Sequence, residues 1–309
     1  MSGTVFYNLF YLIKEDPTGE INAPELPENP NDPCCKDESL KVLADVDSED
    51  PLRNDVSGFL WWFNSAVTGA TLELWQWNGS AYAKVDDLNN DDYGTFYDFA
   101  FFTNDQNENF IGYQLNWQDV LDAHGEGGYL IKCFATMAYG ANAELISYPY
   151  CLKTYTPYRA DGTVRLEYFL NGQMGDVNND RKFKDFGTIN WYNSFRLPGN
   201  FGFPKSEYKN EFLRYDTGEE VWTESSQEQI YSLSLKFISA YLHNILKTDF
   251  MQADNRFITD YNKFNPETYN QKCVIPNSNY EPTWNKGNKL APVTLTFKNG
   301  FNNFNKLRE

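Results

Sequence analysis

Histidines and long apolar runs are scarce in this chain of 309 residues. Its only histidines are His124 and His243, so the commonest general base is rare. Neither a Gly-x-Ser-x-Gly elbow nor a Walker loop nor a dinucleotide fingerprint accompanies them. The chain also lacks a run of about 18 apolar residues, the length that predicts a membrane-spanning helix. We therefore expect a protein that is not an enzyme, needs no cofactor and has no membrane partner.

Basic side chains are scarce in the first half of the chain. Residues 1–160 hold 25 acidic and 8 basic side chains, whereas residues 161–309 hold 18 of each. The net charge of −17 therefore belongs to the first part. Specific DNA binding, which requires a basic stripe, is not expected. The asymmetry also indicates two modules with different surroundings.

Cysteine pairs with the spacing of a zinc site or a disulfide framework are missing. The chain has an odd number, five, with no CxxC motif: Cys34, Cys35, Cys133, Cys151 and Cys273. This pattern favours free, mostly buried thiols in a reducing compartment. A contact between Cys133 and Cys151 on neighbouring strands remains an alternative. The N-terminus lacks the basic leading region and cleavage site of a signal peptide, so none is predicted.

Aromatic and turn-forming residues, by contrast, are abundant. The chain is 41% hydrophobic and 17% aromatic, and its apolar residues recur as short strands between turns. This pattern favours a mainly β or α+β fold: an N-terminal antiparallel β-sandwich of jelly-roll or immunoglobulin-like type, then a C-terminal β-sheet domain with one flanking helix. The predicted divisions are an N-terminal strand and extended arm (1–38), an acidic β-sandwich (39–152), a linker (153–162) and a β-rich domain (163–309) with a helix near 238–251.

Local signals predict several boundaries. Asn78-Gly79 predicts a hairpin turn. Asn116 is expected to cap a short helix that Gly125 ends. Residues 143–152 read as one strand, and residues 176–224, polar and weakly periodic, as long loops with one or two strands.

The segment GDVNNDRKFKD, residues 175–185, begins like a calcium loop. Asp176, Asn178 and Asp180 supply oxygens at the first, third and fifth positions. Arg181 stands where that loop needs glycine, and Gly187 stands where it needs a bidentate acid. We interpret the segment as a polar turn and keep its three oxygen-bearing residues as the candidate metal ligands.

Tryptophans and acidic pairs give two further hypotheses. Most of the N-terminal tryptophans are expected in the core, but some fit an exposed platform for sugars: Trp61, Trp62, Trp75, Trp77 and Trp117. Asp86-Asp87 and Asp91-Asp92 offer the two acids that a glycosidase needs. In so acidic a chain, we read them as a solvated face.

Three stretches of the second half are best considered together: CLKTYTPYRADGTVRLEYFLNGQMGDVNNDRKFKDFGTINWYNSFRLPG (151–199), FITDYNKFNPETYNQKCVIPNSNYEP (257–282) and VTLTFKNG (293–300). They resemble tail-associated virion proteins of phages that infect Bacteroidetes hosts, including the crAss-like group. The resemblance covers roughly residues 150–300 and includes no catalytic motif.

The resemblance implies a structural virion protein in a phage tail, assembled in the host cytoplasm. Such a subunit would form a homo-oligomeric ring or connector, joining neighbouring tail or portal-associated proteins and letting DNA pass without specific binding. Under this hypothesis the N-terminal patch and the polar segment are the expected assembly contacts: Phe6, Tyr7, Phe10, Tyr11, Arg181 and Lys182. The alternative is a β-sandwich module that recognises host glycans through its tryptophans.

Overall fold

The computed structural model describes residues 5–8, 11–14, 40–63, 67–88, 93–103, 106–137, 142–170, 191–202, 204–253, 255–261, 269–284, 290–299 and 303–306. Of these residues, 63% lie in strands and 12% in helices. The mainly β fold expected from the sequence is therefore confirmed. None of the helices in these ranges is long and apolar enough to cross a membrane.

The chain divides into two compact units. Unit 1 comprises Met1–Ala160 and Leu170–Arg196, and unit 2 comprises Asp161–Phe169 and Leu197–Glu309. The divisions predicted from the sequence stay a prediction. Of the described residues that follow the predicted linker, Leu170 and residues 191–196 belong to unit 1.

The described residues of unit 1 form three sheets and two short helices. Its elements are β1 (Val5–Asn8), β2 (Tyr11–Lys14), β3 (Leu40–Ala44), β4 (Val56–Phe63), β5 (Val67–Trp77), β6 (Tyr82–Asp87), β7 (Gly94–Thr103), β8 (Gln106–Asn116), α1 (Trp117–His124), β9 (Gly127–Met137), β10 (Asn142–Ile146), β11 (Tyr150–Thr154) and α2 (Pro157–Ala160). The strand orders are β1-β2, β4-β8-β7 and β3-β11-β9-β5-β6, with β10 also paired to β9. Every pairing in these sheets is antiparallel except β3–β11, which is parallel. The long connection between these two strands permits either direction.

Aromatic rings connect the two larger sheets of unit 1. Phe59 of β4 meets Tyr150 of β11 edge to face, with ring centroids 5.5 Å apart. Trp117, at the start of α1, is fully buried, and its ring centroid lies 5.0 Å from that of Tyr150. Its indole Nε1 donates a hydrogen bond to Ser57 Oγ at 2.8 Å, so the buried polar atom is satisfied. The two sheets therefore share one core.

The predicted caps and turn of unit 1 are confirmed. Asn116 Oδ1 accepts a hydrogen bond from the Gln118 backbone N–H, and Gly125 ends α1 with a φ of 78° that favours glycine. Asn78 and Gly79 lie in the turn between β5 and β6, where the Asn78 N–H donates to the Ala81 carbonyl.

One predicted strand is two strands. Residues 143–152 are interrupted between β10 and β11, because Pro149 lacks the N–H that a continuous ladder requires. Ser147, which lies between β10 and β11, is hydrogen-bonded to β9. Its Oγ accepts a hydrogen bond from the Ile131 N–H, and its own N–H donates to the Ile131 carbonyl.

Unit 2 is a sheet that closes on itself. The strands and helices of this sheet are β12 (Thr163–Leu170), β13 (Trp191–Phe201), β14 (Lys205–Arg214), β15 (Glu220–Ser239), α3 (Ala240–Ile245), a π-helical segment (Leu246–Phe250), β16 (Asn255–Tyr261), β17 (Tyr269–Pro276), β18 (Leu290–Asn299) and β19 (Asn303–Lys306). The end of β12 (Leu170) and the first part of β13 (residues 191–196) belong to unit 1. The order β13-β12-β16-β17-β18-β15 is closed by an additional antiparallel pairing of β13 with β15. Its buried core includes Val164, Leu166, Leu197, Leu233, Leu235, Ile258, Val293, Leu295 and Phe297.

The helical residues 240–250 follow β15 directly, within the range predicted for the helix. Ser239 Oγ caps α3 by accepting from the Leu242 N–H. Phe250 packs edge to face on Tyr168 and on Phe297, at 6.4 and 6.1 Å between ring centroids. The π-helical segment thereby completes the core of the closed sheet.

For residues 176–224, the sequence predicts long loops with one or two strands, and residues 191–224 hold more strand than that. This part contains β13, β14 and the start of β15. The prediction relied on alternating apolar residues, and β14 lacks this alternation because neither of its faces is buried.

Candidate assembly surface

A two-stranded extension, the arm, continues from the closed sheet. We define the arm as β14, the turn at residues 215–219, and residues 220–230 of β15. β14 pairs with residues 220–230 of β15, and β19 pairs with residues 224–227 on the opposite side. The rest of β15 pairs with β18 in the closed sheet. One strand of 20 residues therefore belongs to both parts.

Both faces of β14, and the turn that follows it, are exposed in the residues whose side chains the structure describes. Residues 205–208 and 211–220 are all exposed. Four large side chains stand out, namely Tyr208 (65% exposed), Phe212 (58%), Leu213 (51%) and Tyr215 (50%). A sheet normally buries at least one face against a core. Clustered apolar side chains on a surface mark a site of interaction.

The first face of the arm is uncharged along most of its length. Side chains alternate along a strand, so Ser206, Tyr208 and Phe212 share one face. Gln227 of β15 confirms this for Ser206 and Tyr208, since its Nε2 donates to Ser206 Oγ at 3.0 Å and to Tyr208 Oη at 3.4 Å. We call this surface the neutral face. It combines aromatic rings with amide and hydroxyl groups, the composition typical of protein–protein interfaces.

The second face, which we call the charged face, carries carboxylates in unfavourable positions. Glu207 is paired across the strands with Glu228, and Glu211 with Glu224. Like charges directly opposite each other destabilise a sheet. Lys298 of β18 compensates one of them, because its Nζ lies 2.9 Å from Glu228 Oε2.

The sequence-based assembly residues fall elsewhere. Phe6 and Tyr7 lie in β1 and Tyr11 in β2, where Tyr7 pairs with Leu12 and Asn8 with Tyr11. Phe10, Arg181 and Lys182 lie outside the described residues, and so do the candidate metal ligands Asp176, Asn178 and Asp180. Sequence reasoning missed the arm. The signal available for it was the spacing of Tyr208 and Phe212, which places both on one face of a strand.

The outer face of the six-stranded sheet holds Trp75 in an ion-pair network. Its indole Nε1 donates to Glu73 Oε2 at 2.8 Å, and Lys132 Nζ lies 3.9 Å from the ring centroid. Lys84 bridges Glu73 and Asp87 at 2.9 and 2.7 Å. The ring face covered by Lys132 and the indole N–H are therefore engaged within the protein. Trp117 is in the core as expected, and the side chains of Trp61 and Trp62 lie outside the described part.

His243 has a structural position. It is buried, and its Nε2 lies 3.0 Å from the Ala291 carbonyl, which only accepts, so this nitrogen carries the proton. Its Nδ1 accepts from the Tyr280 hydroxyl at 2.7 Å. Burial lowers the pKa of His243, which favours the neutral ring in this position.

His124 ends α1 beside an acid and a phenol. Its Nε2 lies 3.0 Å from Tyr93 Oη and 3.7 Å from Asp86 Oδ2. The Tyr93 hydroxyl donates to Asp86 at 2.6 Å and lowers the pKa of that carboxyl. Among the described residues, no group of three or more His, Cys, Asp or Glu side chains is arranged to hold a metal ion.

The cysteine prediction needs a correction. Cys133 and Cys273 are free, but Cys151 is disulfide-bonded to a partner outside the described ranges. A bond between Cys133 and Cys151 is excluded, although β9 and β11 are neighbours. Cys151 stands opposite Gly128 in the ladder, five positions along β9 from Cys133, which is about 16 Å.

No protein-family model matches the chain, and a search of curated proteins found no match.

Proposed function

We propose that the chain is a structural subunit of an oligomeric ring or connector in a phage tail, which lets DNA pass and joins neighbouring tail proteins. The observation that supports this function best is the arm, a sheet extension whose strand β14 is exposed on both faces. The phage assignment rests on the sequence resemblance of residues 150–300. The assembly role rests on the chemistry of the neutral face.

Burial of the neutral face against a neighbouring subunit would stabilise an assembly. Phe212 and Tyr208 are both more than half exposed. Burying a side chain of this size contributes about 1.5–3 kcal/mol. The arm extends from a closed, well-packed sheet, so little ordering entropy opposes docking. If the neutral face contacts a different surface of the next subunit, the contact is heterologous, the type that generates rings.

The acidic first part of the chain suits a passage for DNA. Residues 1–160 hold 25 acidic and 8 basic side chains. A wall of this sign repels phosphate and prevents adhesion of passing nucleic acid.

The assembly role is tested by replacing one aromatic side chain of the arm. We expect the purified full-length chain to form closed rings at high concentration, measured by light scattering and electron microscopy. Phe212→Ser should shift the midpoint of assembly at least tenfold towards higher concentration, because it removes an apolar contact of about 1.5–3 kcal/mol.

Tyr158→Ser provides the matched control. Tyr158 is 88% exposed and lies in α2 of unit 1, so this variant should assemble like the wild type. A wild-type chain that stays monomeric, and is absent from purified phage particles by mass spectrometry, would refute the proposed function.

The glycan-binding alternative has less structural support. Lys132 covers one face of Trp75, and Glu73 accepts the hydrogen bond from its indole N–H. Sugar-binding platforms need a free ring face. A tryptophan-fluorescence titration with host capsular polysaccharide separates the two functions, and a wild-type protein without a response removes the alternative.

A further inference from the structure

β14 forms the outer edge of its sheet. Within the described residues, β14 is the last strand of its sheet and pairs only with β15. Its residues 205–208 and 211–214 are exposed. Exposed edge strands are templates for pairing with another strand. The question is which strand fits this edge.

The charges of β14 are antisymmetric about Tyr208. The segment reads Lys205-Ser-Glu207-Tyr208-Lys209-Asn-Glu211. One position from Tyr208, the residues are Glu207 and Lys209. Three positions away they are Lys205 and Glu211. At each distance a negative residue on one side corresponds to a positive residue on the other.

We propose that β14 pairs antiparallel with β14 of a second copy of this chain, with the two-fold axis at Tyr208. This register sets Lys205 opposite Glu211 and Glu207 opposite Lys209. Symmetry repeats each pair, which gives four opposite-charge pairs across the two strands. Opposite-charge pairs at such positions stabilise a sheet.

The charge pattern favours a second copy over a partner of another kind. Each copy carries a net charge of −17, so two copies repel unless the surfaces in contact are complementary. The segment 205–211 has two positive and two negative residues, so it has no net charge to attract a basic protein. A parallel, in-register pairing would set every charge opposite itself. Only the antiparallel register about Tyr208 gives every charge in this segment an opposite partner.

The proposed contact adds to the ring contact and does not replace it. The pairing joins two copies of the β19-β15-β14 sheet into one sheet of six strands, and the neutral faces remain uncovered. A two-fold contact is isologous, so it produces a dimer or joins two rings back to back. It holds for this chain whether or not the chain is a phage tail subunit.

The test uses charge reversal in the full-length chain, with dimerisation measured by analytical ultracentrifugation. Lys205→Glu and Glu211→Lys each create two like-charge pairs in the homodimer, and each should weaken it about tenfold or more. The double variant Lys205→Glu/Glu211→Lys restores opposite charges and should recover wild-type affinity. A mixture of the two single variants should form a heterodimer, because the charges are opposite between unlike chains. Recovery on mixing also shows that both variants are folded.

A crosslink tests the register directly. Tyr208→Cys places two thiols at the symmetry axis, where directly opposite Cβ atoms are about 4.5–5.5 Å apart, and mild oxidation should give a covalent dimer. Ser206→Cys, which stands opposite Asn210 in the proposed pairing, should not. Three results would each overturn the proposal. The wild-type protein could be monomeric, the single variants could dimerise as tightly as the wild type, or the mixture could dimerise no more tightly than each single variant alone. A Ser206→Cys crosslink as efficient as that of Tyr208→Cys would overturn this register.

Discussion

Asp55 and Arg196 form an ion pair that solvent does not reach. The side chains are 0% and 1% exposed, respectively. Arg196 Nε and Nη2 donate to the two carboxylate oxygens at 3.0 and 2.9 Å, and the Leu43 N–H adds a third hydrogen bond at 2.8 Å. Asn193 and Ser194 also bond to the backbone of β4. These polar contacts explain why residues up to Arg196 belong to unit 1.

Removal of one partner of the Asp55–Arg196 ion pair should lower the free energy of unfolding. Arg196→Met leaves the Asp55 carboxylate buried without its cation, so the free energy of unfolding should fall by about 3–5 kcal/mol. The double variant Asp55→Leu/Arg196→Met removes both charges and should recover much of this loss. Urea denaturation provides the measurement. Arg214→Ala, which removes an exposed pair at 3.9 Å from Glu220, is the control and should change stability by less than about 1 kcal/mol. A loss equally small for Arg196→Met would contradict the expectation.

Asp260 of β16 gives the stability a pH dependence. Burial, together with the negative charge of Asp161, raises the pKa of Asp260 from 3.8 to about 6. The folded state therefore holds this proton more tightly than the unfolded state does. The stability that the group contributes is fully present below pH 3.8 and is lost as the pH rises through about 6.

Asp260→Asn should remove this dependence. At pH 7 the variant should be more stable than the wild type by about 1–2 kcal/mol, a value reduced for the partial exposure of the group. The difference should vanish below about pH 4, where the wild-type carboxyl is protonated in both states. Urea denaturation at several pH values between 4 and 8 tests this expectation. A stability gain independent of pH would point to a cause other than the Asp260 charge.

At the scale of elements, Gly199 allows β13 to close the sheet of unit 2. A Cβ added at Gly199 would lie 2.9 Å from both the Ser234 carbonyl oxygen and Leu235 Cδ2. Gly199→Ala should therefore destabilise the protein by about 1–3 kcal/mol, because backbone atoms must move. Gly202→Ala is the control, since nothing lies within 4 Å of its added Cβ. Thermal unfolding measures both variants, and equal melting temperatures would contradict a tight closure.

Elements with one buried face were predictable. Leu72 and Leu74 of β5 are fully buried, and their alternation with polar residues predicted the strand. The caps of α1 were predictable because one side chain and one backbone conformation determine each end. β14 was not predicted, because no buried face imposes an apolar period on its sequence.

At the scale of the whole molecule, the sequence could not predict which distant strands pair. The parallel β3–β11 pair and the β13–β15 closure join segments far apart in the chain. Their registers depend on tertiary packing, which local periodicity does not contain. The same limit applies to the candidate site. The sequence suggested Phe6, Tyr7 and Tyr11, whereas exposure within the folded chain identified Tyr208 and Phe212.

β15 constrains how this chain can tolerate insertions and deletions. It is hydrogen-bonded to β13 and β14 on one side and to β18 and β19 on the other. Loss of one residue from its middle would shift the alternation of every side chain beyond that point and so exchange the neutral and charged faces of the arm. Where the ladder is regular, the arm can therefore lengthen or shorten by matched steps of two residues in both strands. A single extra residue requires a bulge, such as the one in β15 opposite Glu211 and Phe212. The turn at residues 215–219 carries no such constraint and can vary in length independently.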